Sequence, residues 1–223
     1  MSGPLALVGG IPWTDGCSFD RDLLDVSGAD EVVVIPAGSA FENPEALVAR
    51  AVAWFEGLGV RVAALPLLTR RDAFDGDLAA VVRSSRFVYL PGASPMHLRS
   101  VLKDTPVFEA LVAAWQAGGV LAGSGAGTDV LCDPMVDTRG GAFTVGLGVV
   151  PGMACIPRAN TWSPEKVRRT VELAPSSVPV VAIPEATALI WQNDTGWVSS
   201  GVGECTVYRD GEIASIAVLP GLT

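Results

Sequence analysis

Short apolar, β-branched runs alternate along this chain with segments of helical periodicity, and this alternation constrains the fold more than any other feature. The strand-like runs lie at 32–35, 60–64, 87–90 and 120–122. The clearest helical segment is 44–58, where Asn43 can cap the start and Gly59 can end the helix. Such an alternation predicts a parallel sheet that is covered by helices on both faces.

The second half of the chain shows a different pattern. A helical segment opens at Ser163 and runs to Ala174, and closely spaced strand-like runs follow at 180–183, 188–191, 196–199 and 205–208. Short connections of this kind indicate antiparallel pairing. We therefore expect a three-layer α/β/α fold with a mainly parallel, flavodoxin-like central sheet and a C-terminal antiparallel extension of that sheet. No repeat or linker interrupts the sequence, so residues 1–223 are expected to form a single domain.

The charge balance excludes several classes of partner. The chain has 24 acidic and 15 basic residues, a formal net charge of −9, and no basic run that could neutralise a line of phosphates, so we expect no nucleic-acid partner. The apolar run at 5–8 is too short for the core of a signal peptide, and no stretch reaches about 18 uninterrupted apolar residues. We therefore expect a cytoplasmic protein that does not bind membranes. The sequence leaves a homodimer open.

Metal and cofactor binding are not indicated. The four cysteines lack any Cys-x-x-Cys spacing, and His97 is the single histidine of the chain. A zinc shell needs several such ligands. We therefore expect reduced, structural cysteines, no metal and no other cofactor.

A loop rich in small residues follows the strand-like run at 120–122. The run leads into small residues around Ser124 and Gly125, which is the composition of a nucleophile elbow, because a sharp strand-to-helix turn tolerates only small neighbours. A dinucleotide-binding loop would need a glycine at position 128, and a phosphate-binding loop would need a lysine, and neither is present. The elbow is thus the favoured interpretation.

A second candidate loop follows the strand-like run at 87–90. It contains Gly92 and Ala93, and the next helix can begin with Ser94 as its cap. Sites in parallel sheets collect at the carboxyl ends of strands, so this loop is expected to face the elbow. Its backbone N–H groups could bind an anion or a developing oxyanion.

Five segments together carry a resemblance to a known family. They are Leu-Ala-Leu-Val-Gly-Gly at 5–10, Pro-Gly-Ala-Ser-Pro-Met-His-Leu-Arg at 91–99, the elbow at 123–128, Gly-Leu-Gly-Val-Val-Pro-Gly at 146–152 and Glu-Ala-Thr-Ala-Leu at 185–189. In these segments the sequence resembles the serine peptidase family of dipeptidase E and cyanophycinase, which has a class I glutamine amidotransferase-like fold. The resemblance covers nearly the whole chain and is to an actinobacterial type of member.

The chain departs from this family at the residues that would carry the chemistry. The family elbow reads Gly-x-Ser-Ala-Gly-Ala, which places Gly125 at the nucleophile position, and the catalytic histidine position falls at Arg158. Pro184 stands where members commonly have an aspartate, and Asp133 and Asp137 are unassigned candidates for the acid. The resemblance therefore implies a peptidase-like protein with a degraded triad.

We therefore expect that serine peptidase activity is lost and that the former active-site cleft binds a small acidic or peptide-like ligand. The expected ligand-binding residues are Gly92, Ala93, Gly125, Ala126 and Arg158. A guanidinium at position 158 can bind a carboxylate or phosphate bidentately.

Two alternative functions remain open at this point. Ser124 lies between small residues one position before the family register, and His97 lies on the facing loop, so the two could form a displaced catalytic dyad in an active hydrolase. A shift of about 1 Å already lowers rates roughly a hundredfold, which argues against that dyad. The other alternative is a repurposed enzyme that carries out lyase, cyclase or isomerase chemistry in the same cleft.

Overall fold

A computed structural model describes residues 2–139 and 141–222 of the chain. Its strands are β1 (Leu5–Val8), β2 (Glu31–Val34), β3 (Arg61–Ala64), β4 (Phe87–Leu90), β5 (Val120–Ser124), β6 (Cys132–Asp133), β7 (Met135–Asp137), β8 (Ala142–Thr144), β9 (Val150–Pro151), β10 (Ala154–Pro157), β11 (Val180–Ile183), β12 (Thr187–Gln192), β13 (Gly196–Gly201), β14 (Thr206–Arg209) and β15 (Glu212–Ala214). Its α-helices are α1 (Phe19–Ser27), α2 (Pro44–Gly57), α3 (Gly76–Ser84), α4 (Pro95–Leu102), α5 (Pro106–Gln116), α6 (Ala126–Leu131) and α7 (Pro164–Glu172). Among these helices none has both the length and the apolar character that a membrane crossing requires.

The central sheet has the strand order β13-β12-β1-β5-β4-β2-β3. Strands β1 to β5 pair in parallel, whereas β12 is antiparallel to β1 and β13 is antiparallel to β12. This arrangement confirms the predicted mainly parallel sheet with an antiparallel C-terminal extension.

Helices cover both faces of this sheet. Successive residues of β1 point to opposite sides, as the strand period requires: Leu5 and Leu7 join a core cluster with α3 to α6, whereas Ala6 and Val8 join a second cluster with α1 and α2. The three-layer α/β/α prediction is therefore confirmed.

The expectation that every C-terminal strand extends the central sheet is wrong for two of them. Strand β11 pairs in parallel with β10 and antiparallel with β14, and these strands form a separate sheet in the order β10-β11-β14-β15. Val180 packs with Val171 of α7 on one face, whereas Val181 and Ile183 pack into the central core on the other. A short strand that is apolar on both faces carries no periodic signal for the sheet that it joins.

The predicted helix cap at Asn43 is confirmed. The Asn43 Oδ1 atom accepts a hydrogen bond from the backbone N–H of Ala46 at 3.0 Å, and α2 starts with Pro44 in its first turn. Helix α4 begins after Ser94 as predicted, but the Ser94 side chain makes no capping hydrogen bond. Helices α2 and α4 follow the parallel strands β2 and β4 or their loops, so both begin at the same end of the sheet as the candidate loops.

Candidate active site

The turn between β5 and α6 consists of a single residue. Strand β5 ends at Ser124, α6 begins at Ala126, and Gly125 between them has φ 57° and ψ −109°. This backbone region is costly for residues with a side chain. A strained one-residue turn from a parallel strand into a helix is the geometry of a nucleophile elbow, and here its apex carries only a hydrogen atom.

Hydrogen bonds to neighbouring backbone hold the elbow in place. The Gly125 N–H donates to the carbonyl oxygen of Val8 at 3.1 Å, and the Asp129 N–H donates to the Gly125 carbonyl oxygen at 3.0 Å. The Thr128 hydroxyl lies 2.7 Å from the Val8 carbonyl oxygen and 2.8 Å from that of Gly123. These contacts fix the apex beside the carboxyl end of β1.

The amides that were expected to face an anion already have partners. The Ala126 N–H donates to the Gly92 carbonyl oxygen at 2.8 Å, and the N–H groups of Ala93 and Ser94 donate to the Gly38 carbonyl oxygen at 3.0 and 2.9 Å. Two of the N–H groups of the second loop are therefore already paired within the protein. The physical reason is the close approach of Gly38 and Gly92, whose backbones pair as an isolated bridge where no Cβ separates them.

A cleft of about 500 Å³ lies at this end of the central sheet. The expected ligand-binding residues all line it together with the displaced-nucleophile candidate, namely Gly92, Ala93, Gly125, Ala126, Arg158 and Ser124. The loops that follow β1, β4, β5 and β10 meet here, as expected for the carboxyl ends of parallel strands.

A carboxylate anchors Arg158 at the cleft. The Arg158 Nε atom donates to Glu185 Oε1 at 2.9 Å, and the Asn160 side-chain amide donates to Glu185 Oε2 at 3.2 Å. The Glu185 N–H in turn donates to Asn160 Oδ1 at 2.8 Å. The Arg158 stem packs over Gly10, where a Cβ atom would lie 2.6 Å from the arginine Cγ. The guanidinium is thus held by one edge, and 55% of the side chain is exposed.

Comparison with known proteins assigns the family. The model of Peptidase family S51 matches residues 15–198, which is most of the chain. The chain belongs to peptidase family S51. This confirms the resemblance that the sequence segments indicated.

Individual relatives agree with the S51 assignment. The cyanophycinases of Trichormus variabilis and of a Nostoc species are each 26% identical to this S51 chain over 205 residues, which is 86% of this chain and 68% of theirs. The crystal structure of a peptidase from an acI-B1 actinobacterium superposes with a TM-score of 0.86 at 24% identity and covers 96% of this chain and 93% of that one. A putative peptidase E protein from Listeria monocytogenes superposes with a TM-score of 0.70 at 18% identity, over 91% of this chain and 100% of that one. These two structures show that the fold is shared.

The acid beside position 158 of this S51 chain was missed by the sequence analysis. Asp133 accepts a hydrogen bond from the Gly146 N–H, and Asp137 pairs with Arg139, so neither is the partner of Arg158. The hydrogen bond from Arg139 lowers the pKa of Asp137. The partner is Glu185. One signal could have revealed it, because the strands that form β10 and β11 end in Ile-Pro-Arg and Ile-Pro-Glu, and adjacent parallel strands bring such ends together.

The structure does not bring His97 to Ser124. The His97 Nε2 atom lies 2.9 Å from the Leu68 carbonyl oxygen, and the ring packs edge-on against Phe41 at 4.7 Å. A carbonyl oxygen can only accept, so Nε2 donates to the loop that follows β3. Ser124 lines the cleft and is 2% exposed, whereas His97 does not line it. The displaced dyad is not assembled, because α4 turns its first-turn histidine toward the loop that follows β3.

Asp129 is a second site residue that the sequence analysis missed. It lines the cleft in α6, is 1% exposed, and its Oδ1 atom has no hydrogen-bond partner within residues 2–139 and 141–222. Burial raises the pKa of this carboxyl well above its ordinary value. The sequence alone does not distinguish a buried aspartate after a glycine-rich turn from an exposed one.

Arg50 and Trp162 also line the cleft. Arg50 projects from α2, and its Nη2 atom donates to the Pro12 carbonyl oxygen at 3.0 Å. The Lys166 ammonium lies 3.5 Å from the centre of the Trp162 ring.

In the part of the chain that the structure describes, no three His, Cys, Asp or Glu side chains are grouped as metal ligands, and all four cysteines are free thiols.

Proposed function

We propose that this S51-family chain no longer acts as a serine peptidase and binds a small acidic or peptide-like ligand in the cleft. The observation that carries the proposal is Gly125 at the apex of the elbow. Serine peptidase chemistry requires a hydroxyl oxygen at that point to attack the scissile carbonyl. A glycine supplies no attacking atom.

The other two requirements of acyl transfer support the same proposal. A general base must accept a proton, and a guanidinium such as that of Arg158 is a hydrogen-bond donor without an acceptor site. An oxyanion hole needs amide donors directed at the reacting oxygen, and the Ala126 N–H is directed at the Gly92 carbonyl oxygen instead. Nucleophile, base and oxyanion donor are therefore replaced together.

The charges of the cleft favour an acidic ligand. The ionisable residues among its described lining are Arg50, Arg158, Glu42 and Asp129, and burial raises the pKa of the Asp129 carboxyl well above its ordinary value. Two guanidinium groups thus stand against one exposed carboxylate in the lining. The hydrogen bond to Glu185 uses Nε of Arg158, and the two terminal nitrogens make no hydrogen bond within the described residues, so they can bind a carboxylate.

The hydrolytic half of the proposal is tested with the purified protein. We expect no release of amino acids from aspartyl dipeptides or β-aspartyl peptides, no cleavage of generic esters, and no labelling by a fluorophosphonate. Labelling of Ser124, or a turnover that Ser124→Ala abolishes, would contradict the proposal and identify a displaced nucleophile. Conversion of a probe without hydrolysis would instead identify a repurposed enzyme.

The binding half is tested by isothermal titration calorimetry with L-aspartate and the dipeptide aspartyl-alanine. Arg158→Gln should weaken binding by about tenfold or more, because a charged hydrogen bond is lost. Arg83→Gln is the matched control, since Arg83 is exposed on α3 and does not line the cleft. Failure of the parent protein to bind any acidic probe, or equal affinities for the two variants, would contradict this half.

A further inference from the structure

The Asp129 carboxyl is an unusual group for the floor of a cleft. Its Oδ1 atom is buried and has no hydrogen-bond partner within the described residues, and no described arginine or lysine forms an ion pair with it. Buried polar groups are nearly always hydrogen-bonded, because an unpaired one loses its hydration without compensation. A buried group that also lines an open cleft points to a partner outside the chain.

The surroundings of Asp129 determine which protonation state that partner meets. Removal from water is the main cause that raises the pKa of the carboxyl, and the neighbouring Cys132 and Asp137 act in the same direction. Because the side chain is 1% exposed and pairs with no described cation, burial favours its neutral carboxylic acid form over the ionised one. In that state it offers one O–H donor as well as an acceptor oxygen.

We propose that Asp129 is a ligand-binding residue, a neutral carboxylic acid that donates its O–H to a carboxylate or amide oxygen of the bound molecule. This inference rests on the proposed function and deepens it, because it specifies an oxygen acceptor on the ligand at the cleft floor. Arg158 then binds an acidic group of the ligand at the exposed edge of the cleft, and Asp129 binds an oxygen in its interior.

A basic ligand group at this position is disfavoured by the same surroundings. An amine would require ionised Asp129, and ionisation of a carboxyl that is 1% exposed is opposed by its loss of hydration. The amine would also enter a cleft whose lining carries Arg50 and Arg158. An oxygen acceptor meets neither obstacle.

A second buried aspartate provides a matched control. Asp20 is 0% exposed, its Oδ1 atom also lacks a partner within the described residues, and its Oδ2 atom accepts a hydrogen bond from the Trp54 indole at 3.0 Å. Asp20 lies on the buried face of α1, against Trp54 of α2, and does not line the cleft. Substitutions at Asp20 therefore reproduce the change in a buried carboxyl without touching the binding site.

The experiment compares Asp129→Asn, Asp129→Leu and Asp20→Asn with the parent protein, by titration calorimetry with L-aspartate and aspartyl-alanine and by thermal unfolding. Asparagine keeps the shape and an uncharged donor, so Asp129→Asn should bind within about threefold of the parent. Leucine keeps the volume but no donor, so Asp129→Leu should bind about tenfold more weakly. Asp20→Asn should bind like the parent. Asp129→Leu should unfold at the same or a higher temperature, because an unpaired buried polar group is gone.

The outcomes distinguish failure of the proposed function from failure of the inference about Asp129. If the parent binds neither probe, the proposed function fails, and this inference fails with it. If the parent binds but Asp129→Asn loses affinity as strongly as Asp129→Leu, the carboxyl acts as an anion and the inference alone is overturned. Parent-like binding by Asp129→Leu overturns it as well. A purely structural role of Asp129 would lower the unfolding temperature of the leucine variant and leave its affinity unchanged, which also contradicts the inference.

Discussion

The backbone nitrogen of Ala126 lies 2.8 Å from the carbonyl oxygen of Gly92. The loop after β4 therefore accepts the hydrogen bond of the first N–H group of α6. The same oxygen would lie 2.6 Å from a Cβ atom built on Gly125. Real Cβ contacts are longer than this, so a side chain at position 125 and the present position of Gly92 exclude each other. The Gly92 carbonyl thus both accepts the Ala126 N–H and lies where a side chain on residue 125 would begin.

Gly125→Ser should therefore not restore a peptidase. We expect a loss of about 1–3 kcal/mol in the free energy of unfolding, because serine would take the positive φ of residue 125. Displacement of the Gly92 carbonyl adds to this loss. Urea denaturation measures the stability, and fluorophosphonate labelling followed by mass spectrometry measures the reactivity, which should stay at the level of the parent.

Gly28→Ser is the control for a serine at this φ, although Gly28 has ψ 29° in the left-handed helical region and Gly125 has ψ −109°. Gly28 also has φ 57°, and the nearest atom to a Cβ there is a terminal nitrogen of Arg86 at 3.8 Å, so a side chain fits. This variant should lose only about 1–2 kcal/mol. A Gly125→Ser protein that is as stable as Gly28→Ser, or that is labelled rapidly at residue 125, would show that the Gly92 loop moves aside easily.

Glu185→Gln should reduce ligand affinity with little change in stability. Its ion pair with Arg158 is partly exposed, so we expect a stability change of no more than about 1 kcal/mol. The guanidinium loses its anchor, and the affinity for aspartyl-alanine should fall about fivefold. Glu172→Gln is the matched control, because Glu172 pairs with Arg168 on α7 outside the cleft. Equal affinities for the two variants would contradict the anchoring role of Glu185.

The parts of this site that the sequence predicted are those with a local physical cause. The elbow could be predicted because an apolar strand followed by consecutive small residues restricts the backbone to few conformations. The cap of α2 at Asn43 could be predicted because capping depends on residues three positions apart. The central sheet followed from apolar runs separated by helical segments.

The parts that the sequence did not predict depend on distances between segments that are remote along the chain. The hydrogen bond between the Ala126 N–H and the Gly92 carbonyl depends on how closely two loops pack. The residue pattern within either loop carries no information on the distance between them. The same holds for His97, whose ring meets the Leu68 carbonyl rather than the elbow. The state of Asp129 depends on burial by several elements, which composition around the residue does not reveal.

The cap at Asn43 yields a prediction with an internal control. Asn43 has φ 54°, and its side chain accepts the Ala46 N–H, so Asn43→Ala loses the cap and strains the backbone. We expect a loss of about 1–2 kcal/mol in the free energy of unfolding. Asn43→Gly loses the hydrogen bond but tolerates the positive φ, so its loss should be only a few tenths of a kcal/mol. Equal losses in urea denaturation would show that the positive φ contributes nothing.

Asp20 should make the protein less stable as the pH rises. Burial raises the pKa of this carboxyl from 3.8 to about 8, against the opposing effect of the Trp54 hydrogen bond. Between these values the folded state holds a proton that the unfolded state has released. The stability contribution is therefore complete below about pH 4 and lost as the pH rises through about 8, with a slope of at most about 1.4 kcal/mol per pH unit.

Asp20→Asn should flatten this slope, because an amide can accept the Trp54 hydrogen bond without titrating. Urea denaturation at pH values from 5 to about 8 provides the measurement. Asp129, whose pKa burial also raises, leaves a residual slope of the same sign in this variant. Asp30→Asn, at an aspartate whose side chain is 95% exposed, controls for the change in net charge. If the slopes of Asp20→Asn and of the parent run parallel, Asp20 does not carry a proton in the folded protein near neutral pH.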